Sequence, residues 1–150
     1  MKNREFHVEC LQILEKGISM KDKTAFLFAG QGAQYIGMGK ELYEEFSIAK
    51  ETFDEASDSL NMDMTKLVFD GEKEILDLTE NTQPAIVTMS IAAYKVLSDH
   101  DIIPDVMAGL SLGEYSALTA SGALKLSQAA PLVQKRGSYM QEAVPMGLGK

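Results

Sequence analysis

Two short apolar runs, each closed by a glycine turn, interrupt a chain whose remaining hydrophobic positions recur mostly at helical spacing. Ala25-Phe26-Leu27-Phe28-Ala29 is uninterrupted by any polar residue and ends at Gly30-Gln31-Gly32. A run this short, without alternation, predicts a buried strand. Val106-Met107-Ala108 predicts a second strand, and it enters Gly109-Leu110-Ser111-Leu112-Gly113 and then an alanine- and leucine-rich helix. Between the two lie helical patterns from about Gly39 to Leu60 and from Met64 to Phe69, each with an acidic, solvated face. From Thr82 the chain reads TQPAIVTMSIAAYKVL. Thr82 or Gln83 before Pro84 is expected at the helix start, and the apolar face continuing to Leu97 predicts a buried helix. Ser98 to Asp101 ends it, Pro104 leads into the second strand, and a last helix is expected from Ser127 to Val144.

The N-terminal segment has its own character. Phe6, Cys10, Ile13 and Leu14 fall at helical spacing, and Gly17 stands where a helix would stop. From Met20 the chain reads as an ordinary start: polar residues, a strand, a glycine loop. Residues 1–19 are therefore expected to be an appended amphipathic helix or the product of an upstream start, with residues 20–150 forming one domain or part of one.

Two strands separated by roughly 75 mostly helical residues, each ending in a glycine turn expected to open a helix, indicate an α/β arrangement with a parallel sheet. Ligands in such sheets bind at the carboxyl ends of the strands. Both glycine loops should then share one edge.

Composition narrows the functional classes. At 45% hydrophobic and 24% charged the chain is that of a globular domain. Fourteen Lys and Arg against 22 Asp and Glu give a formal charge of −8, which disfavours nonspecific binding to nucleic acid or an anionic membrane. A single cysteine, Cys10, excludes an intrachain disulfide and a Cys-rich metal site. No apolar run approaches the ~20 residues of a membrane span, and no signal-peptide pattern is visible. A cytoplasmic protein is expected.

The candidate chemistry lies at Ser111. Gly109-Leu110-Ser111-Leu112-Gly113 has the G-x-S-x-G spacing of a nucleophile elbow, in which side chains at either glycine would collide with the neighbouring strand or helix. The hydroxyl is then left at a helix N-terminus, where outward N–H groups favour developing negative charge. An ordinary glycine-containing strand-to-helix loop would satisfy the bare pentapeptide equally well.

Four blocks taken together decide more than one motif. FAGQGAQYIGMG (28–39), TQPA (82–85), AGLSLGEYSAL (108–118) and QKRGSYMQEAVP (134–145) resemble, in order and spacing, the signature blocks of malonyl-CoA:acyl carrier protein transacylases. The resemblance covers Met20 to Lys150. It implies the large, α/β-hydrolase-like subdomain of the acyltransferase fold, truncated before a small ferredoxin-like subdomain. It also implies a seryl ester at Ser111, an oxyanion hole from the backbone N–H groups of Gln31 and Leu112, and Arg136 as the clamp on the malonyl carboxylate. A planar guanidinium suits a carboxylate through two parallel N–H donors. Without the resemblance, Arg136 would read as an exposed helix arginine and Gln31 as a turn residue; Gln83 and Pro84 read mainly as helix-start architecture.

The implied substrates are malonyl-CoA and acyl carrier protein, in fatty acid biosynthesis, without a metal or redox cofactor. A polyketide acyltransferase module shares the blocks, and a noncatalytic product that only binds acyl groups or carrier protein is a third reading. Leu110 stands where the family commonly has histidine, and Ala29 where it has proline. The family's general-base histidine lies downstream of Lys150, so these 150 residues are expected to be a poor catalyst alone. His7 and His100 are expected to be surface residues away from Ser111.

Overall fold

The computed structural model describes residues 23–144. The expectations for residues 1–19, His7 and Cys10 among them, and for the residues after Val144 lie outside the described residues. The elements run β1 (Ala25–Phe28), α1 (Lys40–Glu45), α2 (Ser47–Leu60), α3 (Met64–Phe69), α4 (Lys73–Leu76), α5 (Thr79–Asp99), β2 (Val106–Gly109), α6 (Leu112–Ala120) and α7 (Leu126–Ala143).

β1 and β2 pair in parallel, Ala25 opposite Val106 through Phe28 opposite Gly109. Their amino ends are tied by reciprocal bonds, from Thr24 N–H to an Asp105 carboxylate oxygen and from Asp105 N–H to the Thr24 carbonyl, both 2.8 Å. Because the strands are parallel and in register, both glycine loops emerge at the same edge, as their order in the chain predicts.

The expectation of a buried strand is corrected. Phe28 and Met107 pack against the helical core, but Leu27 is 81% and Val106 58% exposed. Period-two geometry sends alternate side chains to opposite faces. Here helices cover one face of the pair and leave the other open. The apolar character of both faces is that of a parallel strand covered on both sides.

The helices close a core of their own. α5 packs against α2 and α7, and every residue from Thr82 to Thr88 is buried. Phe53, Met64, Leu76, Ile91 and Val133 are fully buried. The Phe53 ring lies 5.8 Å from that of Tyr43 and 5.1 Å from that of Phe69, favourable aromatic spacings.

Two helix boundaries differ from expectation. The segment from Gly39 to Leu60 is two helices, broken at Phe46 (φ −121°, ψ 120°). Phe46 packs on the core and sets its ring edge-on to His100 at 5.6 Å, so a tertiary aromatic contact accompanies the break where no Gly or Pro marks it. The second difference is at Pro84, which lies inside α5, because that helix begins at Thr79. Ahead of it α4, which the pattern did not reveal, ends at Leu76. Thr82 Oγ1 donates to the Leu76 carbonyl at 2.6 Å and Asn81 Nδ2 to the Ile75 carbonyl at 2.9 Å, binding the start of α5 back onto α4. Pro84 forgoes one intrahelical bond, to Glu80. Among the described residues no helix is long and apolar enough to cross a membrane.

Candidate active site

Ser111 occupies a backbone conformation rare for a residue with a side chain, φ 57° and ψ −105°. Such strain costs of order 1–3 kcal/mol and persists only where the surroundings impose it. The surroundings here are backbone. A Cβ at Gly109 would overlap the main chain of Gly113, and a Cβ at Gly113 would overlap the Phe28 carbonyl at the end of β1. The chain therefore reverses between strand and helix with almost no clearance, and Ser111 is left exposed at the crest.

Leu112 is the first residue of α6, so its N–H has no partner within the helix. Its side chain is fully buried, which fixes that peptide in place. Gln31 lies in the turn after β1. A Cβ on its neighbour Gly30 would sit 3.2 Å from the Leu110 carbonyl, so the first glycine loop abuts the elbow. The Gln31 side chain donates to Thr79 Oγ1 at 3.3 Å, tying this loop to the start of α5.

Arg136 arrives from α7. Its Nη2 donates to Ser111 Oγ at 3.0 Å and its Nη1 to Gln83 Oε1 at 2.8 Å, while its guanidinium lies 5.5 Å from the centre of the Tyr115 ring. Gln83 is fully buried, and its Nε2 faces Met140 Sδ at 3.3 Å. The reach of Arg136 depends on Gly137. There α7 lies so close to α5 that a Cβ would meet the Thr79 carbonyl and Glu80 Cα, the latter at 2.7 Å. A groove of about 350 Å³, lined by Leu132, Lys135, Arg136, Tyr139, Met140 and Ala143, runs along α7 beside the guanidinium.

The structure thus brings Ser111 and Arg136 into contact, 25 residues apart in sequence, and sets the Gln31 loop beside them. Gln83, read from the sequence mainly as helix-start architecture, is the buried partner that holds Arg136. Its type and place in the TQPA block were visible; its partner was not. Tyr115 and Gly137 were missed, since nothing local marks either as neighbour to an arginine on another helix. His100 caps the end of α5, its Nδ1 2.8 Å from the Val96 carbonyl, and is exposed. It stands before β2, whereas Ser111 follows it; four strand residues span about 13 Å. Among the described residues no group of three His, Cys, Asp or Glu side chains converges as a metal site.

A fold with this strand-turn-helix serine, an adjoining glycine loop and an arginine on the hydroxyl has counterparts among acyltransferases. Residues 25–149 match the acyl transferase domain, and the chain belongs to that family. It is 54% identical over 127 residues to the malonyl CoA-acyl carrier protein transacylase of Bacillus subtilis strain 168, a match covering 85% of this chain and 40% of that protein. The Streptococcus pneumoniae MCAT structure is similar at 55% identity and a TM-score of 0.80, covering 82% of this chain and 40% of that one. A structure of a type II PKS acyl-carrier protein in complex with its malonyl-transacylase matches at 45% identity and a TM-score of 0.80, over 84% of this chain and 41% of that chain. The chain spans about 40% of the length of these relatives.

Proposed function

We propose that this chain is the N-terminal part of an enzyme that moves a malonyl group from malonyl-CoA to the thiol of acyl carrier protein through an ester on Ser111, in the cytoplasm, during fatty acid biosynthesis. Ser111 Oγ attacks the thioester carbonyl, its proton passing to a base, and the coenzyme A thiol departs from the tetrahedral intermediate. The carrier-protein thiol then attacks the seryl ester and Ser111 recovers its proton. The N–H groups of Gln31 and Leu112 stabilise the oxyanion in both halves. The reaction as written uses no metal or redox cofactor.

The observation that carries this reading is the 3.0 Å contact between Arg136 and Ser111. One guanidinium nitrogen is fixed on buried Gln83 and the other points at the nucleophile, so a carboxylate on the acyl group can take the second nitrogen as the ester forms. A malonyl group supplies that carboxylate; an acetyl group does not. Lys135, exposed beside Arg136, adds positive charge for an acidic carrier protein to an otherwise acidic chain.

The one described histidine, His100, offers no base. His100 is at the wrong end of β2, and we infer that the base lies outside residues 1–150. Residues 20–150 are read as the N-terminal portion of the acyltransferase domain and residues 1–19 as an appendage. The relationship to a transacylase acting with a type II PKS carrier protein supports a second reading, malonyl loading for polyketide synthesis. A noncatalytic chain that binds acyl groups is the outcome if Ser111 proves inert.

The test uses residues 1–150 continued by the remaining length of the Bacillus subtilis relative. Arg136→Ala should lower malonyl transfer by about 10- to 100-fold, the value of a charge-assisted hydrogen bond, while changing acetyl transfer little. Arg136→Lys should recover little, because an ammonium cannot reproduce the fork. Equal losses for both acyl groups would remove Arg136 from the clamp.

A further inference from the structure

The start of α5 holds both halves of the site. Arg136 is fixed there through Gln83, and the first glycine loop through two glutamines. Gln31 bonds Thr79. Gln34 makes two contacts: its Oε1 accepts the Gly32 N–H at 2.9 Å and its Nε2 donates to Asp77 Oδ1 at 2.9 Å. Asp77 is in turn paired through Oδ2 with Lys73, one turn earlier. A chain of polar contacts therefore runs from Lys73 through Asp77 and Gln34 to the peptide between Gln31 and Gly32.

We propose that Gln34 is a positioning residue for the oxyanion donor, an amide bridge that anchors the Gln31–Gly32 peptide to Asp77 and so restrains the adjoining Gly30–Gln31 peptide, which carries the Gln31 N–H. The inference rests on the reading of Gln31 as that donor. Gly32 has φ 105°, and no further Cβ restrains the turn there. An N–H that must point at one place on such a turn needs an external tether. Gln34 provides it, because a side-chain amide can accept from the backbone with its oxygen and donate to a carboxylate with its nitrogen. Asp77 suits the role by remaining ionised: the Lys73 ammonium first, and the Gln34 amide second, hold its carboxyl below the usual range. The arrangement also explains why the loop and the arginine stay in register. Asp77, Thr79 and Gln83 lie within seven residues across the junction of α4 and α5, so a shift of that junction moves both together.

The bridge is tested by amide hydrogen exchange and ¹H–¹⁵N shifts in the 150-residue chain. Gln34→Met keeps the side chain's size and removes both contacts. Gly32 should then exchange about 3- to 10-fold faster, the worth of one net hydrogen bond, and the Gln31 amide resonance should move. Amides in α2 and the thermal midpoint should stay as they were. Asp77→Ala should give a smaller change of the same kind, and Asp77→Asn, which keeps the acceptor oxygen, should restore wild-type exchange. Unchanged Gly32 exchange and an unmoved Gln31 resonance in Gln34→Met would overturn the bridge. Ser111 labelling in the lengthened chain is scored separately. Loss of the bridge with labelling intact in wild type but slowed in Gln34→Met, at unchanged KM, supports both readings. Ser111 inert in every version refutes the acyl-transfer reading and, with it, the role of the bridge in catalysis, whatever Gly32 does.

Discussion

The helical layer and the strand pair are built from equally apolar sequence and have opposite fates. Around α5, side chains from three helices meet and Phe53, Ile91 and Val133 lose all or nearly all contact with solvent. Across β1 and β2, Leu27 and Val106 face outward, and Leu110 beside Ser111 is 85% exposed. The site straddles the two. Gln83 belongs to the closed layer and is held by burial, and Arg136 is held by Gln83; Ser111 belongs to the open layer and is held by backbone contacts at Gly109 and Gly113. On the proposed reading, the acyl-selecting arginine thus stands on the closed helical layer and the acyl acceptor on the part with more uncovered surface.

Stability measurements should break the two regions apart. Phe53→Ala removes a fully buried ring from the helical layer and should cost about 3–5 kcal/mol in urea unfolding. Leu27→Ala on the open face should change stability by no more than about 0.5 kcal/mol. Similar costs would mean that the strand face is covered in solution and that the contrast is wrong.

A sharper cut falls at the junction of the layer with the site. Gly137→Ala pushes α7 off the start of α5 and should cost about 1–3 kcal/mol by overpacking. It should also lengthen the Arg136–Gln83 contact, so in the lengthened protein the preference for malonyl over acetyl should fall more than total transfer does. Loss of stability with the preference intact would separate Gly137 from the clamp.

Sequence alone reached the elbow, the parallel pairing and the buried helix, because each is written in local chemistry: glycine spacing, apolar runs, a long periodic face. It did not reach the α1–α2 break, where Phe46 contacts His100, distant in the chain. Nor did it place Pro84, since the cue for proline at a helix start was strong and the short α4 that sets the true start was invisible. Gln83 shows the same limit at the site. A glutamine in a helix carries no local sign that its carbonyl will meet an arginine 53 residues later.

A smaller effect than either core substitution is expected at a helix cap on the surface of the helical layer. Asp63 caps α3, accepting from Lys66 N–H at 2.8 Å and Thr65 Oγ1 at 2.7 Å. These contacts, the Lys66 amide foremost, hold its carboxyl below the usual range. A carboxylate lowered on folding stabilises above its unfolded value, and that contribution is lost as pH falls through the folded one. Asp63→Ala should therefore cost about 1 kcal/mol at neutral pH, with the difference from wild type closing in acid. A gap that stays constant into acid would show that the cap does not act through its charge.

The central claim, that Ser111 is the acyl acceptor and these residues supply everything at the site but the base, is tested most directly by mass spectrometry after exposure to malonyl-CoA. The 150-residue chain should gain no adduct above its Ser111→Ala control if, as proposed, the general base, worth about 10²- to 10⁴-fold, lies outside it. The same residues continued by the Bacillus subtilis relative's remaining length should gain about 86 Da, a malonyl ester, on Ser111 alone. Rapid, stoichiometric labelling of the 150-residue chain, or an adduct on any other residue of the lengthened protein, would contradict the account.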